Sequence, residues 1–193
     1  VRIGQGFEEH ERARIAALYW EAFGAKLGRV LGPRPRALRF IDHALDPAHA
    51  LCARAPGGEL LGVAGFKTAR GALVLGGPRA LRAAYGPVGA VWRAGLLNLL
   101  ESDVDNARFL VDGIFVAPET RGRGVGSRLI EALAQEARAR GHDEIRLEVV
   151  DENIRARALY ERRGFVAAAR RPAGPLRLVF GFRATTTMIR RLG

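Results

Sequence analysis

Chemical potential concentrates in one stretch, "RGRGVGSRL", residues 121–129. Gly122, Gly124 and Gly126 alternate with Arg121, Arg123 and Val125 just where an apolar helical stripe begins. Glycine inside a helix costs about 1 kcal/mol relative to alanine, so such a run needs an offsetting reason. Backbone N–H groups left bare at a helix N-terminus bind anions, and neighbouring arginines neutralise them. Among phosphate-binding patterns, the Walker loop needs a lysine that is missing here. A dinucleotide fingerprint needs its third glycine at Ser127 or at Leu129. Its preceding strand should also run straight into the turn, whereas "APET" intervenes, although Glu148 late in the next strand imitates a ribose-binding acid. A turn without a ligand is the plain alternative. The pattern [RQ]-x-x-G-x-[GA] is matched in full by residues 121–126.

Several elements must position this loop. Residues 7–27 carry Ile15, Leu18, Tyr19, Ala22 and Phe23 at helical spacing. Glu8, Glu9 and Glu11 lie near the start of that helix and Lys26 near its end, as the helix dipole prefers. Two prolines interrupt, and 36–45 reads as a short second helix. Residues 49–55 and 59–69 form a hairpin about Gly57–Gly58. Within 70–107, "GALVLGG" prolongs the sheet, and 79–84 or 88–100 is helical. Trp92, Leu96 and Leu99 share a face that reads as core, a lid or homodimer contact being its other uses.

The pattern then sharpens. Residues 108–116 form a strand. Residues 124–140 form a helix with Val125, Leu129, Leu133 and Ala137 on one stripe. Residues 144–150 are a strand and 153–164 a helix, capped by Asn153. "FVAAARR" and "LRLVFGFRATTTMIRR" close the chain as strands. This order predicts an α/β fold with one mixed sheet flanked by helices, a single domain over 1–193 with an insertion within 70–107. Period two places Asp112, Ile114 and Val116 on one face of their strand, and Phe109, Val111, Gly113 and Phe115 on the other.

A second motif stands beside the glycine loop. "NIRARALYERRGF" matches N-x-x-A-x-x-L-Y-x-x-x-G-F through Asn153, Ala156, Leu159, Tyr160, Gly164 and Phe165. With both motifs, the chain from about Arg108 to Phe165 resembles the GCN5-related N-acetyltransferases, the GNAT superfamily. The resemblance implies an acyl-CoA N-acyltransferase fold and acetyl-CoA as cosubstrate. The N–H groups of Arg121, Gly122, Arg123, Gly124, Val125, Gly126 and Ser127 would hold its pyrophosphate. The strand from Ile114 through Phe115 to Val116 would pair with the pantetheine arm, and Asn153 would also touch that arm. No metal is implied.

The reaction so implied is direct acetyl transfer to a primary amine of a small molecule, without a covalent enzyme intermediate. A protein N-terminal or lysine amine is the alternative acceptor, and a non-catalytic coenzyme A-binding module the alternative class. Transfer needs a base to free the amine, an N–H near Val116 to meet the oxyanion, and an acid for the leaving sulfur. The resemblance assigns the acid to Tyr160, whose other reading is packing on a helix stripe with Ala156 and Leu159. Glu148, twelve residues before Tyr160, is one candidate base. Asp112 is the other, since an acid among apolar neighbours is costly unless paired or functional.

Bulk composition bounds the rest. The chain has 193 residues, 48% apolar, with 31 Lys+Arg against 20 Asp+Glu for a net charge of +11. That balance suits a polyanionic partner. Arginine bias is the bland account, because only Lys26 and Lys67 are lysines. No basic block with interleaved aromatics points to specific nucleic-acid binding. No apolar run is long enough for a membrane span. The single cysteine, Cys52, excludes an internal disulfide, reads as core, and fits a cytoplasmic setting.

Overall fold

Alternation and turn chemistry shape a sheet whose two faces carry separate apolar clusters. The structure, a computed structural model, describes residues 1–100 and 108–193, without the side chains of 98–100. Its elements in chain order are β1 (Arg2–Gln5), α1 (Arg12–Leu31), α2 (Arg34–Ala44), β2 (Ala50–Arg54), β3 (Leu60–Thr68) and β4 (Gly71–Ala72). There follow α3 (Pro78–Leu100), β5 (Phe109–Val116), α4 (Val125–Ala139), β6 (Glu144–Val150), α5 (Ile154–Arg162), β7 (Val166–Pro172), α6 (Arg177–Phe180) and β8 (Ala184–Arg191). The strands pair in the order β1-β2-β3-β5-β6-β8-β7, with β4 against β3. Every pairing is antiparallel except that of β5 with β6. One face packs under α1, α2, α3 and α6, the other under α4 and α5.

The expected stripe on α4 is buried through Val125, Leu129, Leu133 and Ala137, joined by Ile130 and Ala134. α1 departs from its expectation. It starts after a 3-10 turn and runs to Leu31, so Lys26 lies a turn before its end. Ile15, Leu18 and Tyr19 are core, but Ala22 is exposed and Phe23 half-buried. Glu11 is no mere dipole partner. It is buried, accepts from the Glu8 N–H at 2.9 Å, and takes two bonds from Arg54 at 2.8 and 2.5 Å.

Three further expectations are corrected. β1 was not anticipated; its four residues, three of them exposed, carry no apolar alternation. Residues 176–183 are not strand: Arg177–Phe180 turns once as helix and ends at Gly181, at φ 76°. Burying Phe180 and Phe182 beside α1 overrides the local β-propensity. Both candidate helices within 78–100 form, broken at Gly86–Pro87, where Gly86 has φ 72° and ψ 175°. Leu81, Ala84, Tyr85 and Ala90 of α3 are core, yet Trp92 is 44% exposed, with Val88 and Val91 more so. Arg93 occupies the space between the Trp92 and Tyr85 rings, its guanidinium 4.1 and 3.9 Å from their centres. The Leu99 side chain and residues 101–107 lie outside the described residues.

Candidate active site

β5 determines where a site can form. It pairs with β3 from Gly62↔Val116 to Lys67↔Leu110, but with β6 only at Phe109↔Ile145 and Leu110↔Arg146. Beyond that point the parallel strands splay, and among the described residues no strand pairs with the β5 edge from Gly113 to Val116 on the β6 side. The β3–β5 register slips between Gly65 and Phe66, so Asp112 opposes no residue of β3. This β-bulge overturns strict period two, because one extra residue exchanges the faces beyond it. Phe109, Val111, Ile114 and Val116 pack on the α4 side. Phe115 instead packs on the α1 side, its ring 5.7 Å from Tyr19 and 6.2 Å from Phe23. Only the backbone of Phe115 is therefore available to a ligand in the gap.

The glycine loop lies just past this edge. Gly122 and Gly124 take φ of 78° and 77°, in the left-handed region that disfavours side chains. A Cβ at Gly126 would meet the Leu159 side chain of α5 at 3.4 Å, an ordinary contact distance. The N–H groups of Arg121 and Arg123 are already spent on Pro118 and Thr120 carbonyls, at 3.2 and 3.3 Å. Those of Gly122, Gly124, Val125, Gly126 and Ser127 have no acceptor among the described residues. They sit at the positive end of the α4 dipole, where an anion is favoured. The donor set is thus narrower than the continuous run expected from the motif. Open space beside Gly122 and Gly124 completes the cradle. Arg123 and Arg128 are exposed near it, while Arg121 donates to Glu21 of α1 at 2.9 Å.

The splayed strands open into a cavity of about 590 Å³. Its lining brings together Asp112, Glu148, Asn153 and Tyr160, all four from the sequence reading. Asn153 caps α5, its Oδ1 accepting from the Ala156 N–H at 3.2 Å. The Tyr160 ring packs 5.7 Å from Phe165, and burial pushes its phenol up to about 12. Its hydroxyl has no hydrogen-bond partner among the described residues. A phenol so placed stays protonated at neutral pH and can donate a proton. Glu148 stands on the cavity face of β6, opposite Thr187 of β8. Asp112 accepts from the Val74 N–H at 3.1 Å and lies beside Tyr19, whose phenol burial and this carboxylate push upward.

Residues the sequence reading passed over complete the lining. Lys26 projects from α1 with its Nζ 5.0 Å from the Phe182 ring centre, and burial lowers its pKa while Glu148 opposes the shift. Lys67 and Arg146 occupy the closed end on either side of Leu110, in register across three strands. One signal was available for the lysines, their rarity in an arginine-rich chain. Cys52 is fully buried on β2, away from this lining, and burial pushes its thiol up to about 12. Among the described residues, no group of three or more His, Cys, Asp or Glu side chains could hold a metal ion, and no helix is long and apolar enough to cross a membrane.

The chain resembles known proteins both in sequence and in fold. The chain is 43% identical over 70 residues to thialysine N-epsilon-acetyltransferase of Bos taurus, a match covering 36% of this chain and 41% of that protein. It therefore spans less than half the length of that relative. The N-acetyltransferase of Staphylococcus aureus Mu50 shares the fold with a TM-score of 0.69 at 16% identity, over 98% of this chain and 100% of that one. A candidate streptothricin acetyltransferase of Bacillus anthracis str. Ames, solved with acetyl coenzyme A, has a TM-score of 0.51 at 18% identity, over 75% of this chain and 62% of that one. The family model of the acetyltransferase (GNAT) family matches residues 12–165, which include α1, the splayed strands, the glycine loop and Tyr160. The chain belongs to the acetyltransferase (GNAT) family.

Proposed function

We propose that this protein is an acetyl-CoA-dependent N-acetyltransferase that moves the acetyl group directly to a primary amine of a small molecule. One observation carries the reading. A cradle of five N–H groups at the start of α4 adjoins a strand edge that no strand covers among the described residues, and that edge borders a cavity lined by a half-buried phenol and a carboxylate. A volume of about 590 Å³ suits a small acceptor.

Acetyl-CoA, when bound, supplies the activated acetyl group. The N–H groups of Gly122, Gly124, Val125, Gly126 and Ser127 hold its pyrophosphate, with Arg123 adding charge. The β5 edge from Ile114 to Val116 takes the pantetheine arm, and the Asn153 amide, whose oxygen caps α5, keeps its N–H donors for the same arm. Glu148 takes a proton from the acceptor ammonium. The Tyr160 hydroxyl delivers a proton to the departing sulfur, a role favoured by burial that keeps it protonated. Asp112 is a positioning residue: its bond to the Val74 N–H ties the segment after β4 to the bulge in β5.

The test is release of coenzyme A against amines, amino acids, polyamines and N-terminal peptides, with Glu148→Gln and Asp112→Asn run beside the parent. Glu148→Gln should lower kcat about 10²-fold or more. Asp112→Asn should lower it far less. Coenzyme binding with no thioester consumption across the panel would instead make the chain a non-catalytic coenzyme A-binding module.

A further inference from the structure

The chain holds 31 Lys+Arg, and its two lysines, Lys26 and Lys67, both line the same cavity. Elsewhere the chain uses arginine. Lysine differs in chemistry: it is a compact point charge on a flexible stem, not a planar fork. Lys26 makes no ion pair among the described residues. Its ammonium lies over Phe182 at 5.0 Å, and burial disfavours its charge. A half-buried ammonium gains most when a ligand brings the counter-charge.

The surrounding charges say what that ligand carries. Among the described residues the cavity presents three cations, Lys26 from α1, Lys67 from β3 and Arg146 from β6, and three acids, Asp112, Glu148 and Glu152. Arg146 is held by Glu144 at 2.5 Å, and Glu152 accepts from the Arg183 N–H at 2.9 Å. Glu148 is the acid that offsets burial at Lys26. A plain amine or polyamine, arriving as ammonium at Glu148, would compete with Lys26 for that charge and add repulsion. An acceptor with its own carboxylate would engage Glu148 and Lys26 together and add no net charge. Phe23, Phe40, Phe180 and Phe182 supply apolar wall for the remainder.

We propose that Lys26 is the anion-binding residue of the acceptor site, and that the acceptor is a primary amine bearing a carboxylate on an apolar body, an amino-acid-like zwitterion. This rests on the acetyltransferase reading above. The test compares L-phenylalanine, L-phenylalaninamide and phenethylamine, by calorimetric binding without acetyl-CoA and by KM with it. The parent should prefer the acid by about tenfold or more in both. Lys26→Met should erase that preference by weakening the acid alone, and Lys26→Arg should restore part of it. The thermal shift with acetyl-CoA should be unchanged in both variants, which shows that they fold. Equal binding of the three probes, or a preference that survives Lys26→Met, overturns the proposal. So does an acetyl mass on Lys26 after incubation without acceptor, since the lysine would then be a substrate and not an anion site. If no amine is turned over and acetyl-CoA gives no thermal shift, the acetyltransferase reading falls. The calorimetric preference would still decide the role of Lys26.

Discussion

The Arg121 guanidinium donates to the Glu21 carboxylate at 2.9 Å, so the first arginine of the glycine loop is held by α1. The same side chain bonds the Val116 carbonyl at 3.4 Å. Loop, strand end and helix are thereby joined at the rim of the anion cradle, with an acid close to where phosphate is expected. Both partners are about half exposed, at 58% and 46%, so the pair itself contributes at most about 1 kcal/mol. Glu21→Gln should therefore leave stability nearly unchanged. It should tighten acetyl-CoA binding by up to about fivefold, as read by calorimetry at low salt, and the gain should shrink as salt rises.

At Gly124 the backbone needs φ 77°, and nothing lies within 4 Å of an added Cβ. The cost of a side chain there is conformational, about 1–2 kcal/mol. Gly124→Ala should lower the unfolding free energy by that amount in denaturant. Gly124→Asn should lose less, because asparagine tolerates the left-handed region. Gly124→Val should abolish the thermal protection given by acetyl-CoA.

Tyr160→Phe removes a hydroxyl that no described residue uses, while the ring contact with Phe165 remains. Stability and coenzyme affinity should stay within error of the parent. Turnover should fall about 10²–10⁴-fold under conditions where chemistry limits the rate. Unchanged turnover would leave the tyrosine a packing residue.

Glu11 and Arg54 join α1 to β2 through a two-bond pair with the Glu11 side chain only 7% exposed. Arg54 first, and the Glu8 N–H with it, hold the Glu11 carboxyl below the usual carboxylate range against the opposing effect of burial. A depressed folded pKa means the pair's stabilisation is complete above the unfolded value, about 4.3, and is lost as pH falls through the lower folded value. Glu11→Gln should cost about 3 kcal/mol at pH 7. The difference from the parent should close in acid, which chemical denaturation at pH 7 and below pH 4 would reveal.

Sequence periodicity sufficed wherever local physics decides. The α4 stripe and the Asn153 cap follow from spacing, because helical repeat and capping geometry act within a few residues. The clustering of Tyr160, Glu148, Asp112 and Asn153 was legible through two motifs and the strand–helix order between them. Tertiary structure alone decided which edge of β5 is open and which face each of its side chains takes. That depends on the bulge at Asp112, set by pairing with β3 more than forty residues away in sequence. It also turned Lys26 from a helix-end charge into cavity lining, because Phe182 and Glu148 meet it from distant strands and loops. Arg2–Gln5 became strand for the same reason: its partner in β2 supplies the hydrogen bonds that its own residues do not signal.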